Sequence, residues 1–328
     1  MKALLLTQSD DGLHAAIQPV DEADLPEGDV LIDVAYSSLN YKDGLAVTGK
    51  GKIVRGAYPF VPGIDLAGTV AESASERFSV GGEVILTGWG TGEDRWGGFA
   101  ERARASAEHL VALPEGMTLK EAMTIGTAGF TAMLAVMALE EHDVTPEKGE
   151  VVVTGASGGA GSMAIAILGA LGYDAVASTG TESAHDYLRS LGATRIIGRD
   201  ELGDGPARPM EAGRWAGAID AVGGPTLAAL IAQTERHGSI ASYGLAQSHE
   251  LHTTVFPFIL RGINLLGIDS NTCPPERRIE AWRRLDTVLS SDVLSAVQQT
   301  IRLDEVIDYG EKITRGETQG RIVVDVNA

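Results

Sequence analysis

The run Val151-Val-Val-Thr-Gly-Ala-Ser-Gly-Gly-Ala-Gly161 sets glycines at 155, 158 and 161 between a β-branched apolar stretch and a small-residue helical stretch, Ser162–Leu171. Glycines at this spacing permit a tight turn, let the backbone approach a pyrophosphate and let the helix pack closely on its strand. The unpaired N–H groups at the start of that helix then face the anion. Dinucleotide binding is the chemistry expected, with Ala156, Ser157, Gly158, Gly159 and Ala160 around the ligand; a purely structural turn is the alternative. A second cluster, Gly49-Lys-Gly-Lys-Ile-Val-Arg-Gly56, gathers three cations on a glycine-flanked loop. Lys50, Lys52 and Arg55 suit phosphate contact, and they equally suit a solvated loop.

These cations stand out because the chain is acidic, with 26 basic against 45 acidic residues and a net charge of −19 over 328 residues. Such a balance argues against nucleic acid or an anionic membrane surface as partner, since both demand basic patches. Apolar content of 44% and charged content of 22% describe a globular chain long enough for two domains. The lone Cys273 excludes an intramolecular disulfide and a cysteine zinc cluster, and without an accompanying base it reads as inert. No apolar stretch is expected to span a bilayer, the first residues do not resemble a signal peptide, and a reducing cytoplasm is the expected compartment. The histidines show no ligand spacing; His249 and His252 read as a polar loop.

Residues 1–120 carry short β-like segments between glycine and proline turns: Ala3–Leu6, Asp29–Ser37, Asp65–Glu72, Glu83–Leu86 and His109–Leu113. Helical spacing follows over Lys120–Leu139, interrupted by Gly126 and Gly129. From Val151 strands alternate with helices. The strands are Val151–Thr154, Asp174–Ser178, Arg195–Ile197, Ala216–Ala221, Gly238–Tyr243 and Asn264–Ile268; the helices are Ser162–Leu171, Glu182–Leu191, Pro225–Gln233 and Arg277–Leu289. Alternation predicts an α/β fold, a six-stranded parallel sheet doubly wound by helices. The last segment returns to β-like runs at Thr300–Arg302 and Arg321–Val326 around a helix, Leu303–Arg315. A mostly β domain over 1–120, completed by 295–328, and a nucleotide domain over 121–294 are expected.

That organisation resembles the medium-chain dehydrogenase/reductase superfamily, whose catalytic domain is GroES-like and mostly β. Tyr58-Pro-Phe-Val-Pro-Gly-Ile-Asp-Leu-Ala-Gly-Thr-Val70 and Phe78-Ser-Val-Gly-Gly-Glu-Val-Ile85 are similar to its motifs, as are Asp220-Ala-Val-Gly223 and Gly238-Ser-Ile-Ala-Ser-Tyr-Gly244. Zinc members carry Cys and His-Glu ligands here. In this chain the first position falls at Asn40, and Ile64-Asp65 replaces the pair. Asp65 alone cannot assemble three protein ligands; no metal is expected, and Asp65 reads as a carboxylate bonding backbone or a loop side chain. The zinc-free quinone-oxidoreductase-like branch remains. Within it, Ser38-Leu-Asn-Tyr-Lys-Asp-Gly44, Val151–Gly161 and Ser178-Thr-Gly180 most resemble the acryloyl-CoA reductase (AcuI/YhdH) subfamily.

The resemblance implies NADPH-dependent reduction of acryloyl-CoA to propanoyl-CoA. A quinone acceptor, or a non-catalytic NADPH-binding protein, is the alternative. At the end of the second nucleotide-domain strand, where a carboxylate would select NADH, stand Ser178, Thr179 and Gly180, with Arg199 placed to meet a 2′-phosphate. The same hydroxyls also suit a helix cap before Glu182. Leu245 and Ile268 end later strands and are expected to line the cofactor. Tyr41 matches a tyrosine of related enoyl reductases that lies near the nicotinamide, which implies cofactor contact and proton donation, or packing alone. Asn40 is a candidate amide donor to substrate, or a turn residue. Lys50, Lys52 and Arg55 are candidates for CoA phosphates. A homodimer pairing across Ile263–Ser270, as in related reductases, completes the expectation.

Overall fold

A computed structural model describes residues 1–328. In chain order the elements are β1 (Lys2–Ser9), β2 (Gly12–Pro19), β3 (Val30–Leu39), α1 (Tyr41–Thr48), β4 (Asp65–Ser73), β5 (Glu83–Thr87), β6 (Arg102–Ala105), β7 (Val111–Ala112) and α2 (Leu119–Glu140). Then come β8 (Val151–Val153), α3 (Gly159–Ala170), β9 (Ala175–Ser178), α4 (His185–Ser190), β10 (Ala193–Ile197), β11 (Trp215–Asp220), α5 (Gly224–Gln233), β12 (Thr234–Ser242), α6 (Phe256–Arg261) and β13 (Asn264–Gly267). The chain ends with α7 (Pro275–Val288), α8 (Ser291–Val297), β14 (Gln298–Arg302), α9 (Val306–Thr314) and β15 (Arg321–Asp325).

Two compact units result. The first comprises 1–127, 271–286 and 294–328; the second comprises 128–270 and 287–293. In the first, β1 and β2 form a hairpin, and a seven-stranded sheet runs β14-β15-β3-β4-β5-β7, with β6 also pairing β3. Its core gathers Leu4, Leu6, Ile32, Leu39, Phe60, Leu66, Phe99 and Val324. Antiparallel β15 pairs β3 from Ile322 opposite Leu39 to Asp325 opposite Tyr36, so the last strand joins this sheet. Residues 271–286 also belong here, whereas the sequence placed them with the nucleotide domain. Arg278 on α7 explains the difference: fully buried, it donates to Thr87 O at 2.7 Å and Thr87 Oγ1 at 2.9 Å.

The second unit holds a parallel six-stranded sheet in the order β10-β9-β8-β11-β12-β13. Numbered within the unit this is 3-2-1-4-5-6, the doubly wound dinucleotide order, which reverses beside β8. Val151, Val152 and Val153 of β8 are fully buried, as a strand covered on both faces requires. All six expected strands are present.

Other features differ from the sequence reading. The stretch Ser38–Gly44, for which no element is expected, runs from β3 directly into α1. Strands β2 and β6 were not anticipated; the alternation Arg-Ala-Arg-Ala of β6 lacks the apolar residues that mark a strand. Finally, α2 is long and apolar enough to cross a membrane, contrary to expectation, and most of it is buried inside the protein. A left-handed break at Gly126 (φ 49°) divides it.

Candidate active site

In the second unit, the glycine turn follows from backbone sterics. Gly155 has φ +60°, and a Cβ on Gly161 would overlap the carbonyl oxygen of Gly155, so helix α3 sits directly on the turn. Gly158 is different: its φ of −78° is open to any residue, and it is exposed. No side chain caps α3, and its first turn carries no acidic residue. Unpaired N–H groups and a positive helix end therefore point outward, suited to an anion.

Around this turn the strand ends are tied together. Asp220, at the end of β11, accepts from Thr154 Oγ1 (2.7 Å), Gly223 N (3.0 Å), Val222 N (3.2 Å) and Ser242 Oγ (3.2 Å). Burial pushes its carboxyl above the ordinary range while these four donors oppose the rise. One carboxylate thus joins the C-terminal ends of three neighbouring strands, a role that the sequence reading, which only matched the motif, did not assign. Thr179 Oγ1 donates to Ser157 Oγ at 3.2 Å, which joins the β9 end to the glycine turn. Thr181 N donates to Thr179 Oγ1 at 3.1 Å, so the capping use of these hydroxyls is present too. Arg199 lies over Gly180, where an added Cβ would come within 2.9 Å of its Nε, and its exposed guanidinium makes no ion pair. Leu245 and Ile268 line a cavity of about 610 Å³ at the ends of β12 and β13, together with Gly223, Gly224 and Tyr243.

In the first unit, Asn40 is the N-cap of α1 and Asp43 its third residue, and each bonds the other's backbone or side chain as a capping box. Asp43 Oδ2 accepts from Asn40 N at 2.8 Å, and Oδ1 from Ile64 N at 2.9 Å. Behind them Asp65 accepts from Ser38 Oγ (2.5 Å), Asn40 Nδ2 (2.8 Å), Thr127 N (2.9 Å) and Thr127 Oγ1 (2.5 Å). Arg321, buried, donates to Thr124 O (2.8 Å), Ser38 Oγ (3.0 Å) and Asn40 Oδ1 (3.2 Å). Asp65 is therefore the bonding carboxylate that the sequence suggested. Asn40 calls for a correction: it is buried, its amide nitrogen faces Ser38, Asp43 and Asp65, and nothing remains to offer a substrate. The turn role is the one realised. Tyr41, next in the chain, is 53% exposed.

These residues do not fit a metal. Both oxygens of Asp65 are occupied by hydrogen-bond donors, and Asn40 presents its oxygen to a guanidinium. No three His, Cys, Asp or Glu side chains come together.

The basic loop is partly neutralised. Lys50 pairs with Glu311 at 2.5 Å, and Arg55 pairs with Glu93 at 2.8 Å and Asp94 at 3.2 Å. Lys42, which the sequence reading passed over, takes the other oxygen of Glu93 at 2.8 Å. Glu93 is almost wholly buried while both cations stay about half exposed, so one carboxylate orients two cations outward. Lys52 is exposed and makes no ion pair.

Residues 26–115 match the family model of the alcohol dehydrogenase GroES-like domain, and residues 159–287 that of the zinc-binding dehydrogenases. The chain is 54% identical over its full length, and that of its relative, to the probable acrylyl-CoA reductase AcuI of Escherichia coli K12. It is 51% identical to the acrylyl-CoA reductase AcuI of Ruegeria pomeroyi, over 96% of this chain and 95% of that one. Among solved structures, the yhdH oxidoreductase of Salmonella enterica in complex with NADP superposes with a TM-score of 0.97 at 53% identity, covering 99% of both chains.

One prediction follows from Asp43. Burial pushes its carboxyl up to about 7, and the charge of Asp65 adds to the rise. The unfolded chain releases this proton near 3.8, so the folded state holds a proton that the unfolded state lacks between about 3.8 and 7. The contribution is most favourable below that window, falls as pH rises through it, by at most about 1.4 kcal/mol per pH unit, and is level above. Denaturant unfolding of the native protein and Asp43→Asn at pH 4.5 to 8.5 is expected to show the native-minus-variant difference declining to about pH 7. A pH-independent difference would refute the assignment.

Proposed function

The chain belongs to the medium-chain dehydrogenase/reductase superfamily, in its acrylyl-CoA reductase branch, and on that basis we propose that it reduces the C=C bond of acryloyl-CoA to propanoyl-CoA with NADPH. Full-length likeness to two acrylyl-CoA reductases supports the substrate. One local observation supports the cofactor: the β9 end carries no carboxylate, and an unpaired arginine lies over Gly180. Bound NADPH supplies the hydride that reaches the β-carbon of the acyl chain.

The protein's share is orientation, donors and exclusion of water. Backbone N–H groups of Ser157, Gly159 and Ala160 hold the pyrophosphate at the start of α3, while Ala156 N and Gly158 N donate to Ser178 O and Gly155 O and shape the turn. Arg199, with Ser178 and Gly180 beside it, holds the 2′-phosphate, while Thr179 donates to Ser157 and Ile197 and shapes the strand end. Leu245 and Ile268 line the cofactor crevice at the strand ends. Tyr41 contacts the cofactor and gives a proton to the α-carbon. Charge developing on the thioester oxygen is met by hydrogen-bond donors, without a metal. Lys52, which makes no ion pair, receives the CoA phosphates together with Arg55 and Lys42, the two cations that share Glu93, while Lys50 is engaged by Glu311. A single free cysteine suits a reducing compartment such as the cytoplasm.

Oxidation of NADPH followed in parallel with acryloyl-CoA, crotonoyl-CoA and 1,4-benzoquinone tests the reaction. Acryloyl-CoA is expected to give the highest kcat/KM; a preference for the quinone, or no turnover despite tight NADPH binding, would overturn it. Arg199→Ala is expected to raise KM for NADPH about 10- to 100-fold, the worth of a charge-assisted hydrogen bond, and to leave KM for NADH unchanged. Equal effects on both cofactors would remove the 2′-phosphate role.

The assembly proposed is a homodimer through β13. This strand is the sheet edge, with one side unpaired; Leu265 on it is exposed, as are Val255, Phe256, Ile259 and Leu260 at α6, the helix that precedes it in the chain. An open edge beside apolar surface suits a second copy of the same strand. Sedimentation is expected to give a dimer mass for the native protein and a monomer mass for Leu265→Asp; a monomeric native protein would sink the idea.

A further inference from the structure

We propose that Asp43 is a positioning residue for the reaction: its buried carboxylate locks the start of α1 to the turn at Ile64 and so holds Tyr41 in its working orientation. This rests on Tyr41 being a site residue.

The cost of this side chain is the first observation. An ordinary capping box uses a solvated Glu or Gln at the third helical position. Here that position is a carboxylate buried to 1% exposure, in the same cluster as the equally buried Asp65. Burying a carboxylate is unfavourable unless its oxygens are supplied with donors. Asp43 takes two donors from its own helix start, Asn40 N and Asn40 Nδ2, and one from Ile64 N, 21 positions along the chain. A surface cap would satisfy the helix; only a buried one reaching Ile64 also fixes the helix to the segment that opens β4.

The second observation is that α1 is held on its other sides as well. Gly44 and Gly310 bring α1 and α9 into close approach: a Cβ on Gly44 would overlap Ile313, and one on Gly310 would overlap Val47. Lys42, the residue after Tyr41, is drawn to Glu93. An exposed aromatic side chain therefore projects from backbone that neighbours constrain at its start, its flank and its next residue. Preorganisation of this kind matters where a misplacement of about 1 Å costs up to about a hundredfold in rate.

A double-mutant cycle at pH 8.5, where the Asp43 carboxyl is ionised, tests it, measuring kcat and both KM values with NADPH and acryloyl-CoA for the native enzyme, Tyr41→Ala, Asp43→Asn and the pair. Asp43→Asn is expected to lower kcat about tenfold with each KM changed less than about twofold, and to have little effect in the Tyr41→Ala background. Amide exchange should quicken at Asn40 and Ile64. An equal loss in both backgrounds, or unchanged kcat, would overturn the positioning role. Unchanged kcat and KM in Tyr41→Ala alone would instead refute the reading of Tyr41, and the positioning role with it. If Asp43→Asn does not fold, Asp43→Ser, small and uncharged, runs the same cycle with the same deciding outcomes.

Discussion

Burial of two carboxylates in one cluster, Asp43 and Asp65, is the constraint from which the first unit's site follows. A carboxylate removed from water must be given donors or it neutralises. Asp65 obtains four hydrogen bonds, and supplying them reshapes the chain around it. Thr127 can turn its N–H inward because Gly126, immediately before it, breaks α2 in a left-handed conformation; a Cβ there would crowd Asp65, Arg321 and Ser38 at once. Asn40 becomes the helix cap, and Arg321 enters from β15. The C-terminal return of the chain thus has a reason beyond closing a sheet, since it delivers the only guanidinium bonded within the cluster.

What the sequence made legible is what was local. Strands β8, β9 and β11 are short runs buried on both faces, so their apolar content stands out without any partner being known. The glycine turn, the acid-free end of β9 and Arg199 lie within about 50 residues of one another and could be read by position alone. Helix α1 was missed because a capping box with Asp at its third position, followed by Gly44, carries little helical propensity; tertiary contacts with α9 sustain it. Long-range partnerships were out of reach. Arg321 and Asn40 stand 281 positions apart, and nothing local announces their meeting. Likewise, the cations of residues 50–55 were visible, but Glu93, Asp94 and Glu311, which claim two of them, were not.

Charge explains why that last distinction matters. With a net charge of −19, carboxylates are at hand to claim a cation, and a basic residue in the sequence is weak evidence for a phosphate site. Arg199 and Lys52 differ from Lys50 and Arg55 in making no ion pair, although all four are alike on composition. Arg55 shares the nearly buried Glu93 with Lys42 and also pairs with the more exposed Asp94, so two cations meet two carboxylates. Glu93 then acts less as a neutraliser than as an anchor, fixing two half-exposed side chains that would otherwise be mobile. Such anchoring lowers the conformational entropy lost when an anion binds.

The same bookkeeping of charge decides the metal question. The positions at which zinc relatives place ligands are Asn40 and the pair Ile64-Asp65 here, and they are filled by a closed set of hydrogen bonds. Introducing a cysteine and a histidine would not by itself recreate a metal site. Arg321 Nη1 lies 3.2 Å from Asn40 Oδ1, so a divalent cation held at that point would face a buried positive charge with little water to screen it. Asp65, meanwhile, would have to give up donors from Ser38 and Thr127 to become a ligand. The arginine and the hydroxyl donors therefore take up the valences of Asn40 and Asp65 that a metal would need, so a cation placed there would have to displace Arg321 as well as the donors of Asp65.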